Sequence, residues 1–397
     1  MFRRAWRPAT PLPTAPPGSP LLCFASFLCR STPLTHAAIT GWGKCLPPAV
    51  LSNQDLTRIF ETSDEWIVTR TGIRERRISH VSLEEMAYVA SARALAAAGL
   101  SGSEVDLIVF GTCSHGDQVP NMASAIQARI AANSAASMDV NTACTSFLYS
   151  LSTASAMIRA GVVRNALVIG AELISPFMDW TDRDVAVLFG DGAAAVVLQE
   201  TTREEGLLSE KLGCYADARE TLRVLGMGGT YANRGVLYGV VRWQFEGQEI
   251  FKRAVQGMAG AAESALARVG LTAADIDLVV PHQANLRIIE AVAKKARVPM
   301  ERVYVNVQRY GNMSAATVPI ALCEALEEGR VRPGGLVLMP GFGGGLTWCA
   351  HLVRWGERTT PLEESPVELP PVERSALQLV EGLLAAKTIA SPAATWS

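Results

Sequence analysis

The chain has 397 residues and a formal net charge of −2, so it is long enough for a large core and carries no excess positive charge that would attract nucleic acid. A hydrophobic content of 49% with 33 Gly and 21 Pro excludes a fibrous or wholly disordered protein and is typical of a globular α/β protein. The eight cysteines show no CxxC pair and no metal-ligand spacing, and no apolar run approaches the roughly 20 residues that span a bilayer. We therefore expect no metal, no stable membrane association and reduced thiols in the cytoplasm.

The first 36 residues differ from the rest of the chain. They contain arginine and proline but no acidic residue, and we expect a disordered extension over 1–36. Three arginines before "LLCFASFLC" could imitate a secretory signal, but the intervening prolines and Arg30 make a poor one.

The body of the chain repeats itself. The segment "ALAAAGLSGSEVDLIVFG" (94–111) resembles "ALARVGLTAADIDLVVPH" (265–282), and "RAGVVRNALVIG" (159–170) resembles "EEGRVRPGGLVLM" (327–339). Each copy reads as a helix end, a turn containing glycine and a buried strand. Two matches in the same order indicate an internal duplication of an α/β unit, with strand ends and helix N-termini of both copies meeting at one site.

Three segments carry candidate chemistry. Cys144 in "VNTACTSFLYSL" stands at the start of a predicted buried helix, whose positive end favours a thiolate nucleophile. A packed core thiol is the commoner role of a lone cysteine, and the segment by itself leaves both readings open.

The other two segments lie in the second copy. His282 in "VVPHQANLRI" ends a predicted strand, and Asn312 in "YGNMSAATV" follows a glycine in a turn. They could serve as acid–base group and oxyanion donor, or as a satisfied core histidine and a turn residue. The glycine run at 343–345 allows backbone N–H groups to approach a ligand but matches no nucleotide-binding loop.

Six motifs together resemble a known family. These motifs are "NTACTSF", "PHQAN", "YGNMSAA", "FGDGAAA", "TSDEWIVTRTGIRERRI" and "GFGGGLTW". They resemble β-ketoacyl-acyl-carrier-protein synthase III, the initiating condensing enzyme of bacterial type II fatty acid synthesis, from about Ala38 to Arg354. The resemblance implies an α/β protein of the thiolase fold, two duplicated halves in a five-layered αβαβα arrangement. The predicted division is then 37–205, 206–356 and a Pro/Glu-rich tail at 357–397, whose possible short helix could dock on the body or on a partner.

By this resemblance the three candidates form one catalytic site. Cys144 takes an acyl group from an acyl-CoA, and His282 and Asn312 bind the malonyl-acyl-carrier-protein thioester and stabilise the enolate left by decarboxylation. The backbone N–H groups of Cys144 and Gly344 hold the oxyanion of the acyl-cysteine. The resemblance implies no metal or other cofactor, since acyl-CoA is a substrate. It also implies that the protein is a homodimer.

The resemblance also implies binding residues. Trp66 and Arg183 sandwich the CoA adenine, with Arg70 near the nucleotide, although Arg70 with Arg74, Arg76 and Arg77 could simply form a solvated charged segment. The candidates for docking the acidic carrier protein are Arg287, Lys294, Lys295 and Lys252, with an ordinary polar helix face as the alternative.

Val119 departs from the family pattern, because some members carry at this position a large aromatic that closes the acyl pocket of the dimer mate. A smaller residue leaves more room, so we expect primers longer than acetyl, or branched ones. Phe189, Met227 and Phe245 are the other expected pocket residues.

The sequence leaves other functions open. A starter-unit condensing enzyme or acyltransferase of a secondary-metabolite pathway would use the same Cys-His-Asn triad. A hydrolase or acyltransferase without condensation would release CoA without decarboxylating malonyl groups, and a binding protein would lack a reactive Cys144. A chalcone-synthase-like enzyme shares the triad, but "TSDEWIVTRTGI" and "HQANLRI" argue against it.

Overall fold

Two β-sheets with helices on both faces organise the chain. The structure is a computed structural model that describes residues 35–227 and 241–390, so most of the predicted extension (1–34) and the end of the predicted tail (391–397) lie outside the described residues. The strands are β1 (His36–Cys45), β2 (Val50–Ser52), β3 (Glu75–Arg77), β4 (Leu107–Gly111), β5 (Ala136–Val140), β6 (Asn165–Glu172), β7 (Gly192–Thr201), β8 (Gly206–Cys214), β9 (Leu222–Leu225), β10 (Arg242–Phe245), β11 (Leu278–Val279), β12 (Leu336–Gly343) and β13 (Thr347–Arg354). The α-helices are α1 (Asn53–Leu56), α2 (Asp64–Thr71), α3 (Leu83–Ala98), α4 (Met122–Arg129), α5 (Ser146–Arg159), α6 (Arg183–Ala186), α7 (Gly247–Ala267), α8 (Leu286–Ala296), α9 (Val307–Tyr310), α10 (Thr317–Glu327) and α11 (Ala376–Ala390).

The two large sheets have the same topology. The first has the order β1-β7-β6-β4-β5 and the second the order β8-β13-β12-β11. In both, the first two pairs are antiparallel and the third is parallel. β4 corresponds to β11 and β6 to β12, which are the strands that the repeated sequence segments contain.

The sheets and helices stack in five layers. The Ala-rich α3 packs with α4 on one face of the first sheet, through residues such as Ala90 and Phe110. α5 and α10 lie between the two sheets and share one apolar cluster with both of them, which includes Phe147 and Ile320. α7 and α8 pack against the far face of the second sheet. Because both sheets are covered on both faces, their central strands are almost continuously apolar, as in the fully buried β4.

The two middle-layer helices begin at neighbouring points. α5 follows the 3-10 turn Ala143–Thr145, and α10 follows the 3-10 turn Ser314–Ala316; the two turns contact each other. Each turn opens on a residue in the left-handed region, Ala143 with φ 52° and Ser314 with φ 47°. Such a conformation costs on the order of 1–3 kcal/mol and persists only where surrounding contacts hold it. The N-termini of α5 and α10 therefore form the natural place for a site.

The tail after residue 356 lies on the body. Its backbone bonds to the end of α3, where the Leu362 N–H donates to the Ala97 carbonyl at 3.1 Å. α11 then buries Leu377 and Val380 in the apolar cluster that contains Leu51 and Leu56. α11 contains the short helix that the sequence predicted in the tail, and this helix packs on the body of the protein.

Candidate active site

Cys144 lies in the tight turn that leads into α5. Its neighbour Ala143 has the left-handed backbone described above, and Ser146 holds the turn: Ser146 Oγ donates to the Ala143 carbonyl at 2.7 Å and accepts from the Thr142 N–H at 2.9 Å. The turn places Cys144 on the wall of a cavity of about 600 Å³.

The resting thiol is neutral. Burial raises the pKa of the Cys144 thiol to about 11, although interactions with the Ser314 and Asn312 side chains lower it in part. Burial thus opposes the effect expected from the helix N-terminus, which favours the thiolate. Deprotonation has to accompany the attack on a substrate.

Asn312 is fixed from three sides. Its backbone N–H donates to the Leu188 carbonyl at 2.8 Å, and its carbonyl accepts from the Gly190 N–H at 3.1 Å. Its side-chain Oδ1 accepts from the Ser314 N–H at 2.8 Å. Because Oδ1 is occupied, the Nδ2 amide is the group that can donate to a ligand, and the turn role and the donor role of Asn312 are compatible.

His282 is a buried, neutral histidine. The strand β11 ends at Val279, three residues before His282, where it was predicted to end. His282 continues beside β12 by donating its N–H to the Pro340 carbonyl at 2.9 Å. Its Nδ1 lies 2.6 Å from Thr317 Oγ1, in the first turn of α10. Burial lowers the pKa of the imidazole to about 3, so it remains neutral near pH 7 and acts as a hydrogen-bond partner.

The glycine run lies against the Cys144 turn. A Cβ on Gly343 would come within 2.8 Å of the Cys144 backbone nitrogen and 3.0 Å of the Thr142 carbonyl oxygen. A Cβ on Gly344 would lie 3.3 Å from that of Ala143. At Gly343 only glycine allows this approach, and both Gly344 and Cys144 line the cavity. Their N–H groups as an oxyanion hole stay a prediction.

The cavity contains some of the predicted residues and not others. Cys144, Gly344, Phe189 and Met227 line it. His282 and Asn312 do not line it, and Asn312 forms a backbone bridge to Phe189, which does. Lining residues that the sequence reasoning missed are Cys113, Ser114, Ile174, Phe177, Leu222, Trp243 and Ser314.

One predicted pocket residue, Phe245, lies elsewhere. Phe245 packs partly against Ile250 and Phe342 instead of the cavity, and its strand neighbour Trp243 stacks on Phe189 with ring centroids 4.9 Å apart. Strand alternation does not separate two residues spaced by two, so the sequence could not tell them apart. Val119 is 86% exposed and also does not line the cavity of its own chain.

The predicted CoA-binding residues form one cluster. The Arg70 and Arg183 guanidinium carbons lie 4.4 Å and 4.8 Å from the centroid of the Trp66 ring. An adenine ring stacked between an indole and a guanidinium requires these two groups to lie about 7 Å apart, which is twice an ordinary contact distance. A guanidinium therefore occupies the place that adenine would take, and adenine binding requires it to swing away.

The arginine-rich segment after Trp66 is not simply a solvated face. Arg76 is fully buried and donates to the carbonyls of Leu51 and Val187 and to Asn53 Oδ1, at distances from 2.8 to 3.1 Å. Arg76 thereby links Leu51 and Asn53, which precede α2, to Val187, which precedes Phe189 by two residues.

The predicted docking cations are exposed on two packed helices. Arg287, Lys294 and Lys295 lie on α8, and within the described ranges no acidic side chain pairs with them. Lys252 on α7 lies 3.9 Å from Glu249. Asn285 Nδ2 donates to the Arg70 carbonyl at 3.1 Å, so the start of α8 adjoins the Trp66 cluster.

Glu172 is the other functional candidate that the sequence reasoning missed. It is a fully buried carboxylate at the end of β6, and its Oε1 accepts from the Ser314 hydroxyl at 3.0 Å. The available signal was a single acidic residue at the end of the apolar strand "ALVIGAE".

The described part of the chain contains neither a metal-ligand cluster nor a membrane-spanning helix. Across residues 35–227 and 241–390, no group of three or more His, Cys, Asp or Glu side chains could hold a metal ion. Over the same ranges, no helix is long and apolar enough to cross a membrane.

Comparisons with known proteins agree with one another. A sequence profile described as 3-oxoacyl-[acyl-carrier-protein] synthase III matches residues 138–216, and one for the C-terminal part of that synthase matches residues 266–355. The β-ketoacyl-[acyl-carrier-protein] synthase III 2 of Vibrio cholerae is 52% identical over 345 residues, 87% of this chain and 95% of that relative.

Solved structures show the same likeness. The 3-oxoacyl-[acyl-carrier-protein] synthase III of Aquifex aeolicus has 43% identity and a TM-score of 0.75, covering 80% of this chain and 100% of that one. The priming β-ketosynthase of the R1128 polyketide pathway has 32% identity and a TM-score of 0.77, covering 81% and 97%. These likenesses confirm the predicted fold class.

Proposed function

The chain belongs to the 3-oxoacyl-[acyl-carrier-protein] synthase III family, with its thiolase fold, and we propose that Cys144, His282 and Asn312 carry out an acyl-CoA-primed condensation with malonyl-acyl carrier protein. The product is a 3-oxoacyl-acyl carrier protein, which initiates fatty acid synthesis. The observation that carries the residue assignment is the meeting of the α5 and α10 N-termini, where the Asn312 side chain interacts with the Cys144 thiol.

The first step is acyl transfer to the cysteine. The Cys144 sulfur attacks the thioester carbonyl of acyl-CoA, the acyl–sulfur bond to CoA breaks, and CoA leaves as a thiol. The tetrahedral oxyanion is held by the N–H groups of Cys144 and Gly344, which lie on two turns packed against each other. Fixed donors stabilise the developing charge more than the planar carbonyl, which is how they accelerate the step.

The second step is decarboxylation of the malonyl group. Loss of CO₂ leaves negative charge on the thioester oxygen, and the Asn312 Nδ2 and His282 Nε2 groups donate to it. Donation from Nε2 of a neutral imidazole requires Nδ1 to be the acceptor. The Thr317 hydroxyl, 2.6 Å from Nδ1, then donates to the imidazole instead of to the Ser314 carbonyl at 3.0 Å. The carbanion then attacks the acyl-Cys144 thioester and frees the cysteine.

The substrates are recognised by three surfaces. Trp66, Arg70 and Arg183 bind the CoA nucleotide once a guanidinium has moved from the indole face. The exposed cations Arg287, Lys294, Lys295 and Lys252 attract the acidic carrier protein. No metal or redox cofactor takes part in this chemistry. The six described cysteines are free, as in a reducing compartment such as the cytoplasm, where we place the reaction.

The primer is longer than acetyl, or branched, and the enzyme is a homodimer. The cavity of about 600 Å³ has apolar walls that include Phe189, Trp243 and Met227. Val119 is exposed and outside its own cavity, which suits a side chain that closes the cavity of a second copy. Light scattering should therefore give about twice the chain mass of 42.4 kDa.

A primer panel tests this function. Wild type and Val119→Phe are incubated with malonyl-acyl carrier protein and acetyl, C6–C10 or branched acyl-CoA, and the products are weighed. We expect wild type to prefer the larger primers and Val119→Phe to shift toward acetyl. Much faster turnover of acetyl-CoA by wild type would refute the primer assignment, and CoA release without a longer acyl chain would refute condensation.

A starter-unit enzyme of a secondary-metabolite pathway is the second candidate. The likeness to the R1128 priming β-ketosynthase favours it, with the same chemistry at the same triad. The higher identity of the Vibrio cholerae synthase favours the primary role. Neighbouring genes for fatty acid synthesis would support the first candidate over the second.

A further inference from the structure

A buried carboxylate lies behind the wall of the Cys144 cavity. Glu172 Oε2 accepts from the hydroxyls of Thr112 at 3.1 Å and Ser114 at 2.5 Å. Glu172 Oε1 accepts from the Cys113 backbone N–H at 3.1 Å, the Cys113 thiol at 3.3 Å and the Ser314 hydroxyl at 3.0 Å. Within the described residues Glu172 has no cationic partner, so hydrogen bonds alone stabilise its charge. Burial raises the pKa of this carboxyl above its ordinary value, which makes it a better proton acceptor.

Ser314 connects this carboxylate to the nucleophile. Its hydroxyl donates to Glu172 and also interacts with the Cys144 thiol, and both Ser314 and Cys144 line the cavity. The left-handed backbone of Ser314 holds the side chain in this position, while its N–H fixes Asn312. One residue thus contacts the thiol through its side chain and the oxyanion donor through its backbone.

The acylation step needs such a connection. The Cys144 thiol is protonated at rest, and the departing CoA sulfur must gain a proton. The imidazole of His282 has a pKa of about 3 and is a poor acceptor. Glu172 and Cys113 interact electrostatically with Cys144, and burial keeps the pKa of the Cys113 thiol well above its ordinary value. His115 also lines the cavity, but its Nε2 lies 3.5 Å from Asp139 Oδ2. Glu172 is the acceptor that a hydrogen bond already joins to Ser314.

We propose that Glu172, acting through the Ser314 hydroxyl, accepts the Cys144 thiol proton during acylation and returns it to the departing CoA sulfur. As the Cys144 sulfur bonds to the acyl carbon, its proton moves to Ser314 Oγ and the Ser314 proton moves to Glu172 Oε1. The reverse transfer converts the CoA thiolate to a thiol, with no net uptake of protons. Ser314 is the residue that contacts the reacting atom, and Glu172 acts through it. This inference rests on the proposed acylation of Cys144.

The experiment measures acylation alone. Four proteins are compared: wild type, Ser314→Ala, Glu172→Gln and Thr112→Val. Each is mixed with acyl-CoA in the absence of carrier protein and quenched rapidly. Mass spectrometry of the intact protein then gives the rate of acyl-enzyme formation from pH 6.5 to 10. Thr112→Val is the matched control, because it removes a hydrogen bond from Oε2, the carboxylate oxygen that does not accept from Ser314.

Ser314→Ala and Glu172→Gln should acylate about 100-fold more slowly at pH 7, the usual size of general-base catalysis. Their deficit should shrink toward pH 10, because solvent base then takes the thiol proton. Thr112→Val should stay within about threefold of wild type. If Glu172→Gln does not fold, Ser314→Ala decides the question.

Two results would overturn the inference. One is wild-type acylation by Ser314→Ala at every pH. The other is a loss that does not change with pH and is matched by an equal loss of malonyl decarboxylation, which would make Ser314 only a support for Asn312. Failure of wild type to acylate Cys144 at all would instead refute the proposed function.

Discussion

Burial controls the ionisation of both reactive side chains. It raises the pKa of Cys144 to about 11 and lowers that of His282 to about 3, so both are neutral through the physiological range. Each neutral form suits its role: a thiol that loses its proton only during attack, and an imidazole that donates a hydrogen bond to an oxyanion.

Alkylation of Cys144 should follow its raised pKa. Because the thiolate is the reactive form, the rate with iodoacetamide should rise about tenfold per pH unit from pH 7 toward 11. Mass analysis of the Cys144 peptide measures the rate, with Cys144→Ala as the background. A plateau below pH 8 would show that the resting residue is a thiolate.

Malonyl decarboxylation should show no histidine titration near pH 6.5. An ordinary imidazole gains a proton as the pH falls through about 6.5, but His282 does so only near pH 3. The rate of CO₂ release by Cys144→Ala should therefore stay constant within twofold from pH 5.5 to 8.5. A decline with an apparent pKa between 6 and 7 would contradict this assignment.

The residue types of the triad were predictable, but their surroundings were not. Cys144, His282 and Asn312 stand in short motifs that sequence alone can recognise. Ser314, Glu172 and Arg76 depend on contacts between distant segments, such as the 142 positions that separate Ser314 from Glu172. Phe245 was placed in the pocket and Trp243 was not, because the direction of a side chain depends on how the strand packs.

At the scale of elements, the glycine loop after β12 sets the geometry of the nucleophile. Gly343 leaves no room for a side chain beside the Cys144 nitrogen, so Gly343→Ala must push the Cys144 turn away from the loop. We expect this variant to lose acyl-enzyme formation at least 100-fold, as a displaced catalytic geometry does.

Gly260→Ala is the matched control for that variant. Gly260 lies within α7, and a Cβ there meets nothing within 4 Å. Alanine in a helix interior should raise stability by about 0.5–1 kcal/mol without changing activity. Equal activity of both variants would show that the close approach at Gly343 is unimportant.

α11 is an element that the family resemblance did not cover, since the profile match ends at residue 355. Its buried face reaches the cluster that also contains Ile67 and, at its edge, Trp66. The tail before it bonds to α3, and Arg93 pairs with Glu368 at 2.7 Å. The tail therefore packs against the cluster next to Trp66, one of the residues proposed to bind CoA.

A pair of substitutions tests this packing. Val380 is fully buried in α11, and Val380→Ala should lower the free energy of unfolding by about 2 kcal/mol. Glu381→Ala removes only an exposed ion pair with Arg58 at 3.7 Å and should change it by less than about 0.5 kcal/mol. Urea unfolding measures both. Equal stability of the two variants would mean that α11 does not contribute to the folded body.

At the scale of the whole molecule, the duplication explains why so much of the fold could be predicted from one sequence. The repeated segments predicted two α/β copies, and the two sheets do share their strand order and directions. The meeting of their helix N-termini then follows from the symmetry of the copies. The division of the chain at 205/206 stays a prediction, although the first sheet takes its strands from before it and the second from after it.

At this scale, the path of the tail and the packing site of α11 escaped prediction, and both lie outside the repeat. The tail path depends on apolar side chains spaced along a Pro-rich segment, which carries no helical or strand period. The placement of α11 on the body depends on a surface that distant residues such as Leu51 and Leu56 create only after folding.

The separation of the two half-reactions tests the central claim most directly. The proteins compared are wild type, Cys144→Ala, His282→Ala and Asn312→Ala. Each is incubated with acyl-CoA alone and with malonyl-acyl carrier protein alone. Mass spectrometry then gives the masses of the enzyme and of the carrier protein. We predict that Cys144→Ala forms no acyl-enzyme but still decarboxylates malonyl-acyl carrier protein, whereas His282→Ala and Asn312→Ala acylate Cys144 and lose decarboxylation. An acyl-enzyme on Cys144→Ala, or undiminished decarboxylation by both His282→Ala and Asn312→Ala, would contradict the account.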